Sequence, residues 1–168
     1  MEISRRMLQQ KFEEAEGSSL DEKFLNIAKE LSANSTCIRD DRKTAAVIVL
    51  DGRIIASGFN GAPTGITTCK EKGYCDRKRR GIQSGEKLEM CFACHGEQAA
   101  LMNAARDGVA VESATMYSIK KPCLNCLKLI ISSGIKEIVY LEDNYDNEIA
   151  SEILKETDVV VRKFSKED

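Results

Sequence analysis

The sequence predicts an α/β fold, a mixed five-stranded sheet with helices packed on it, and three observations carry that prediction. Asp51-Gly52 separates two apolar, β-branched runs, which is the strongest short hairpin signal a chain can give. From residue 114 onward strand and helix patterns alternate, which asks for crossover connections and parallel pairing. His95-Gly96-Glu97, between these halves, and Pro122-Cys123-Leu124-Asn125-Cys126, within the second, each open a helical pattern, so both would sit at helix starts on one sheet face.

Taken in order, residues 1–18 are charged and end in Glu16-Gly17-Ser18, which reads as an N-terminal arm before a single domain over 19–168. Ser19-Leu20-Asp21-Glu22 resembles a capping box, and Phe24, Ile27, Ala28 and Leu31 share one face of a helix over about 20–33. Residues 44–50 and 53–59 are the hairpin strands. The loop Gly58-Phe59-Asn60-Gly61-Ala62-Pro63-Thr64-Gly65 cannot be a regular element; it is either a wall of a ligand site, with Asn60 offering an amide, or an ordinary turn. Residues at about 66–94 form a Cys-rich insertion with the basic run Arg77-Lys78-Arg79-Arg80, a solvated loop or a contact for phosphates. A helix from His95 to about Asp107, a strand over 114–119, a helix over 122–133, a strand over 137–141, a helix over 147–155 and a strand over 159–164 complete the chain.

The 168 residues are enough for one domain with a real core. A formal charge of −2 and a pI near 5.6 argue against a general nucleic-acid binder and favour a small substrate. No apolar run approaches a membrane span and no export signal is evident, so a cytoplasmic protein is expected. Seven cysteines, an odd number, then point to thiolates on metal and buried thiols rather than disulfides.

The spacing of the two short motifs points to metal chemistry. Cys123 and Cys126 are three apart, so a helix beginning at Pro122 would put both sulfurs on one face of its first turn, where free backbone amides favour thiolates. His95, the only histidine in the chain, adds a nitrogen. One nitrogen and two sulfurs leave the fourth tetrahedral position of a zinc ion open, as a catalytic site requires. Glu97 is the acid/base candidate. In a regular helix residues 95 and 97 would point about 200° apart, so they can share a site only if His95 stands at the very start of its helix. Cys37, Cys69, Cys75 and Cys91 could close a second, structural zinc site that replaces the core the insertion lacks, with Cys94 assigned to packing.

On these residues the chain resembles the deoxycytidylate (dCMP) deaminases of the cytidine deaminase superfamily. The resemblance runs from about residue 22 to 164 and includes Ala46-Val47-Ile48-Val49, the loop 58–65, His95-Gly96-Glu97, Pro122-Cys123-Leu124-Asn125-Cys126, Gly134-Ile135-Lys136-Glu137-Ile138-Val139-Tyr140 and Val161-Arg162-Lys163-Phe164. Free-nucleoside deaminases typically carry Cys where this chain has His95. The resemblance implies a three-layer α/β/α cytidine-deaminase-like fold with the catalytic zinc between two helices, and deamination of dCMP to dUMP in dTTP precursor supply. It implies substrate contacts from Asn60, Gly96 and Tyr145, and a regulatory nucleotide at Gly58, Asn60, Gly61 and Arg106, with dCTP and dTTP as effectors, Mg2+ beside the latter, and a homohexamer. The chain departs from the family pattern where Gly96 replaces its usual Ala and Ala99 its usual Asn. The competing readings are deamination of another nucleotide or of a base in tRNA or single-stranded DNA, and a catalytically silent zinc module that senses nucleotides.

Overall fold

The computed structural model describes residues 20–144 and 147–165. The expected arm over 1–18 and Tyr145 lie outside the described residues. The five strands are β1 (Ala45–Leu50), β2 (Arg53–Phe59), β3 (Thr115–Lys120), β4 (Glu137–Glu142) and β5 (Val160–Lys163), in the order β2-β1-β3-β4-β5. The hairpin pair and the β1–β3 pair are antiparallel, while β3–β4 and β4–β5 are parallel. The mixed sheet predicted from the hairpin signal and the later alternation is therefore the observed one.

Helix α1 covers 20–32. The others are α2 (Cys69–Lys72), α3 (Asp76–Arg79), α4 (Gly96–Arg106), α5 (Leu124–Ser132) and α6 (Glu148–Lys155). Successive strand residues face opposite sides of a sheet, and here that period divides the core into two layers. Ala46, Ile48, Met116 and Ile138 pack with Ala100 and Leu101 of α4 and with Cys126, Leu127 and Ile130 of α5, while Ala150 and Leu154 of α6 lie against the same layer. Ala45, Val47, Val49, Tyr117 and Val139 pack on the other side with Phe24, Leu25 and Ala28 of α1. Each fully buried Ile, Leu or Val contributes about 1.5–3 kcal/mol, so the two layers hold the sheet between them.

The helix carrying the His-x-Glu motif lies unusually close to the hairpin. A Cβ at Gly58 would stand 2.3 Å from Ala100 N and 2.7 Å from Ala99 Cβ, so only glycine lets β2 pass beneath α4. A Cβ at Gly96 would stand 2.8 Å from Ala45 Cα, so the start of α4 rests directly on the backbone of β1. The 66–94 segment differs in kind. α2 buries only Cys69 and α3 buries nothing. It is tied down by polar links: Lys70 N–H donates to Thr36 O, and Lys72 pairs with Asp76 at 3.2 Å and sits over the Phe92 ring.

Candidate zinc centre and active-site cleft

α4 begins one residue after His95. His95 is the cap residue, extended at φ −75° and ψ 159°, and its backbone N–H donates to Gln98 Oε1 at 2.9 Å. Because residue 95 is outside the helix, the 200° separation of a regular helix does not apply, and His95 and Glu97 meet in one site. The loop before it is fixed by a two-way bridge, Gly61 N–H to Cys94 O and Cys94 N–H to Gly61 O. Cys94 thus acts through its backbone, and its side chain is only half-buried.

α5 starts later than the sequence suggests. Pro122 lies before the helix and Cys123 caps it, extended at φ −70° and ψ 166°. The reason is that both cysteines must turn toward α4: Cys123 as the cap and Cys126 in the first turn place their sulfurs 3.6 Å apart. His95 Nδ1 lies 3.4 Å from Cys123 Sγ and 3.3 Å from Cys126 Sγ. A tetrahedral zinc with bonds of about 2.3 Å to sulfur and about 2.0–2.1 Å to nitrogen would set these atoms roughly 3.5–3.8 Å apart, so the triangle fits the ion. Among the described residues this is the one group of three His, Cys, Asp or Glu donors with ligand atoms within 4.8 Å of one another.

The charges fit as well. The Cys123 thiol is pushed down to about 4, first by the Cys126 S–H and then by the His95 ring. Cys126 is pushed far up by its contact with Cys123, by burial and by the Glu97 carboxylate. The Cys123 thiolate raises the proton affinity of His95. A dication at the centre of the triangle neutralises both sulfurs at once. Glu97, in the first turn of α4 and 4% exposed, has its proton affinity raised by burial, with His95 opposing the effect. Ser118 Oγ lies 3.4 Å from Glu97 Oε1 and donates to Lys120 O at 2.9 Å.

Glu97, His95 and Cys123 open onto a cleft that is also lined by Asn60, Thr44, Cys37, Cys75 and Cys91. Asn60 is buried and lines the cleft as expected, but its side chain already fastens the approach to β1. Its Oδ1 accepts from Thr44 N–H at 2.8 Å and its Nδ2 donates to Arg42 O at 2.9 Å. One amide hydrogen remains for a ligand. Gly58 and Ala99 do not line the cleft; they pack on each other where β2 crosses α4, so position 99 belongs to the helix–sheet contact rather than to the cleft wall. Arg106 ends α4, at the far end from His95, exposed and paired with Asp107 at 3.2 Å.

Cys37 and the insertion cysteines Cys69, Cys75 and Cys91 sense one another without closing. Burial pushes the Cys37 thiol up, and Cys91 and Cys75 push it further; Cys69 is raised by burial and by Cys37, Cys75 and Cys91. They form no group within 4.8 Å. Sequence reasoning missed Ser118 and Thr44. Ser118 was findable, since it shares the strand parity of buried Met116 and so faces α4. Thr44 carries no local signal.

The chain's likenesses agree with this centre. Residues 18–142 match the family model described as the cytidine and deoxycytidylate deaminase zinc-binding region. The deoxycytidylate deaminase of Saccharomyces cerevisiae is 36% identical over 147 residues, which are 88% of this chain and 45% of the yeast protein. That of Mycobacterium phage D29 is 36% identical over 129 residues, 74% of this chain and 95% of the phage protein. The chain spans less than half the length of the two yeast relatives, 45% and 44%. Among solved structures, the dCMP deaminase of cyanophage S-TIM5, also solved with dCMP and dUMP, superposes with a TM-score of 0.66 at 26% identity, over 86% of this chain and at least 96% of that one. With its donor triangle, buried carboxylate and sheet order in place, the chain belongs to the zinc-binding cytidine and deoxycytidylate deaminase family.

Proposed function

We propose that the protein hydrolyses dCMP and water to dUMP and ammonia. The His95–Cys123–Cys126 triangle beside buried Glu97, at the floor of a cation-lined cleft, carries this assignment. Zinc held by those three residues supplies the Lewis acidity that brings a water to ionisation near neutral pH. The chain's own groups do the rest. Glu97, which holds a proton readily because it is buried, accepts one from the attacking water and passes it to the ring nitrogen N3, then takes the second from the hydroxyl added at C4 and delivers it to the amino group, which leaves as ammonia while the C4 carbonyl forms. Ser118 limits the swing of the Glu97 carboxylate between these positions. Gly96 N–H, at the positive end of α4, donates to the pyrimidine carbonyl. Asn60 offers its remaining amide hydrogen to the sugar, and Tyr145 is assigned to the pocket on the family resemblance.

The yeast and phage relatives named deoxycytidylate deaminase, and the cyanophage structure with dCMP and dUMP, support the choice of substrate. A structural zinc on Cys37, Cys69, Cys75 and Cys91 is proposed for the insertion, whose short helices bury almost nothing of their own. Regulation at Gly58, Asn60, Gly61 and Arg106 by dCTP and by dTTP with Mg2+, a homo-oligomer and a cytoplasmic location follow from the resemblance. No helix among the described residues is long and apolar enough to cross a membrane.

The test is a deamination panel on the zinc-loaded protein: dCMP, deoxycytidine, adenine nucleotides and single-stranded oligonucleotides, each with and without dCTP. Equal amounts of ammonia and dUMP from dCMP are expected. Ammonia from an adenine nucleotide or an oligonucleotide alone would overturn the substrate, and none from any compound would overturn the activity.

A further inference from the structure

Four cations line the cleft that holds Glu97: Arg39, Arg42, Arg77 and Lys120. Three of them are answered by carboxylates. Arg39 and Arg42 both reach Asp41, at 2.8 and 3.1 Å, and Lys120 reaches Glu142 at 2.9 Å. Arg77 has no carboxylate within ion-pair distance among the described residues. One of its terminal nitrogens donates to the backbone carbonyls of Gln83, at 2.9 Å, and Glu86, so its guanidinium is held in place by groups that carry no net charge. Its Nε–H is buried without an acceptor. The only other buried side-chain polar atom without a partner among the described residues is Thr44 Oγ1, and it lines the same cleft.

A buried polar group costs stability when nothing completes its hydrogen bonds, the more so on a charged side chain, so two unpartnered groups in one cleft mark a place where a ligand supplies the acceptors. The rest of the basic run is arranged differently. Lys78, Arg79 and Arg80 are exposed, and Arg79 stacks on the Tyr74 ring at 4.2 Å. Arg77 alone of the four turns inward, and its charge is felt at His95, where it opposes protonation. A rigid, planar guanidinium with a spare N–H matches the oxygens of a phosphate better than any uncharged group.

We propose that Arg77, with the Thr44 hydroxyl in the same cleft, forms the subsite for the 5′-phosphate and so sets the preference for a nucleoside monophosphate over the free nucleoside. The choice of a nucleotide phosphate as the anion rests on the deaminase reading of the adjoining centre. Arg77 is a specificity residue, remote from the reacting carbon, and its effect belongs in KM.

The experiment compares wild type, Arg77→Gln and Arg77→Lys, all zinc-loaded and matched for zinc content and circular dichroism. Turnover is measured with dCMP and deoxycytidine, and binding without turnover by calorimetry with dUMP and deoxyuridine. Arg77→Gln is expected to raise KM for dCMP and to weaken dUMP by about 10- to 100-fold, the range for losing a charge-assisted contact. Values for kcat, deoxycytidine and deoxyuridine should stay within about twofold, and Arg77→Lys should recover part of the loss, because a point charge replaces the fork. An equal loss for nucleotide and nucleoside would overturn the proposal, since Arg77 would then only fasten residues 83–86. Unchanged dCMP and dUMP values would overturn it too. Should the wild type deaminate no cytosine compound, the deaminase reading fails by itself, and the dUMP and deoxyuridine titrations still decide the role of Arg77.

Discussion

The zinc triangle and the Cys-rich insertion use the same side chain to opposite effect. Cys123 and Cys126 stand at the start of a helix whose Leu127 and Ile130 are buried against the sheet, and their sulfurs converge with His95 to 3.3–3.6 Å. Cys69 and Cys75 stand on or beside two four-residue helices that bury one residue between them, Cys91 ends a three-residue turn over Leu88–Met90, and with Cys37 they only approach one another. The difference teaches that a core can preorganise ligands before any ion arrives, whereas a segment without a core takes its order from whatever cross-links it.

That contrast can be broken most directly by removing one thiol from each region. Cys126→Ala should cost one zinc per chain and abolish ammonia release, while circular dichroism and the urea midpoint change little. Cys69→Ala should also cost a zinc, but it should lower the midpoint while the zinc-loaded protein still deaminates. Metal analysis, assay and urea melts on both variants check this, and matching outcomes would erase the distinction. Glu97→Gln is next in size. It keeps every ligand, so zinc content should hold while kcat falls by about 10²–10⁴-fold, the usual contribution of a positioned acid/base.

Smaller effects sharpen the part played by the sheet. Gly58→Ala forces a Cβ to within 2.3 Å of Ala100 N and should cost about 1–3 kcal/mol in urea unfolding, with some loss of activity because α4 carries Glu97. Tyr117→Phe acts on the opposite layer, where the Tyr117 hydroxyl donates to buried Asp21 at 2.9 Å and Arg162 holds the other carboxylate oxygen at 2.7 Å. It should cost about 1 kcal/mol and leave kcat/KM unchanged.

How much of this was legible beforehand follows the same division. The strands, the hairpin and the parallel pairing of the second half were readable because apolar periodicity and turn residues are local signals. So was the need for His95 to stand at the very start of its helix, and the structure meets it with His95 as the cap residue. Pro122 misled the start of α5 by two residues, because Cys123 takes the cap position and turns its sulfur toward α4. The packing of Ala99 was not readable for a related reason: it faces Gly58 on β2, a contact between positions 41 residues apart that no local pattern records. Arg77 was visible only as one cation in a basic run. Which of four neighbours turns inward depends on the carbonyls of Gln83 and Glu86, and so on the fold of the insertion itself.

The central claim is that one imidazole and two thiolates converge on a single ion beside a carboxylate. Anomalous diffraction collected at the zinc edge from crystals of the zinc-loaded protein tests it without any assay. A peak within about 2.0–2.4 Å of His95 Nδ1, Cys123 Sγ and Cys126 Sγ, with Glu97 facing it, is the predicted result. Zinc-loaded crystals with no peak between these three atoms, or with His95 turned away from it, would contradict the account.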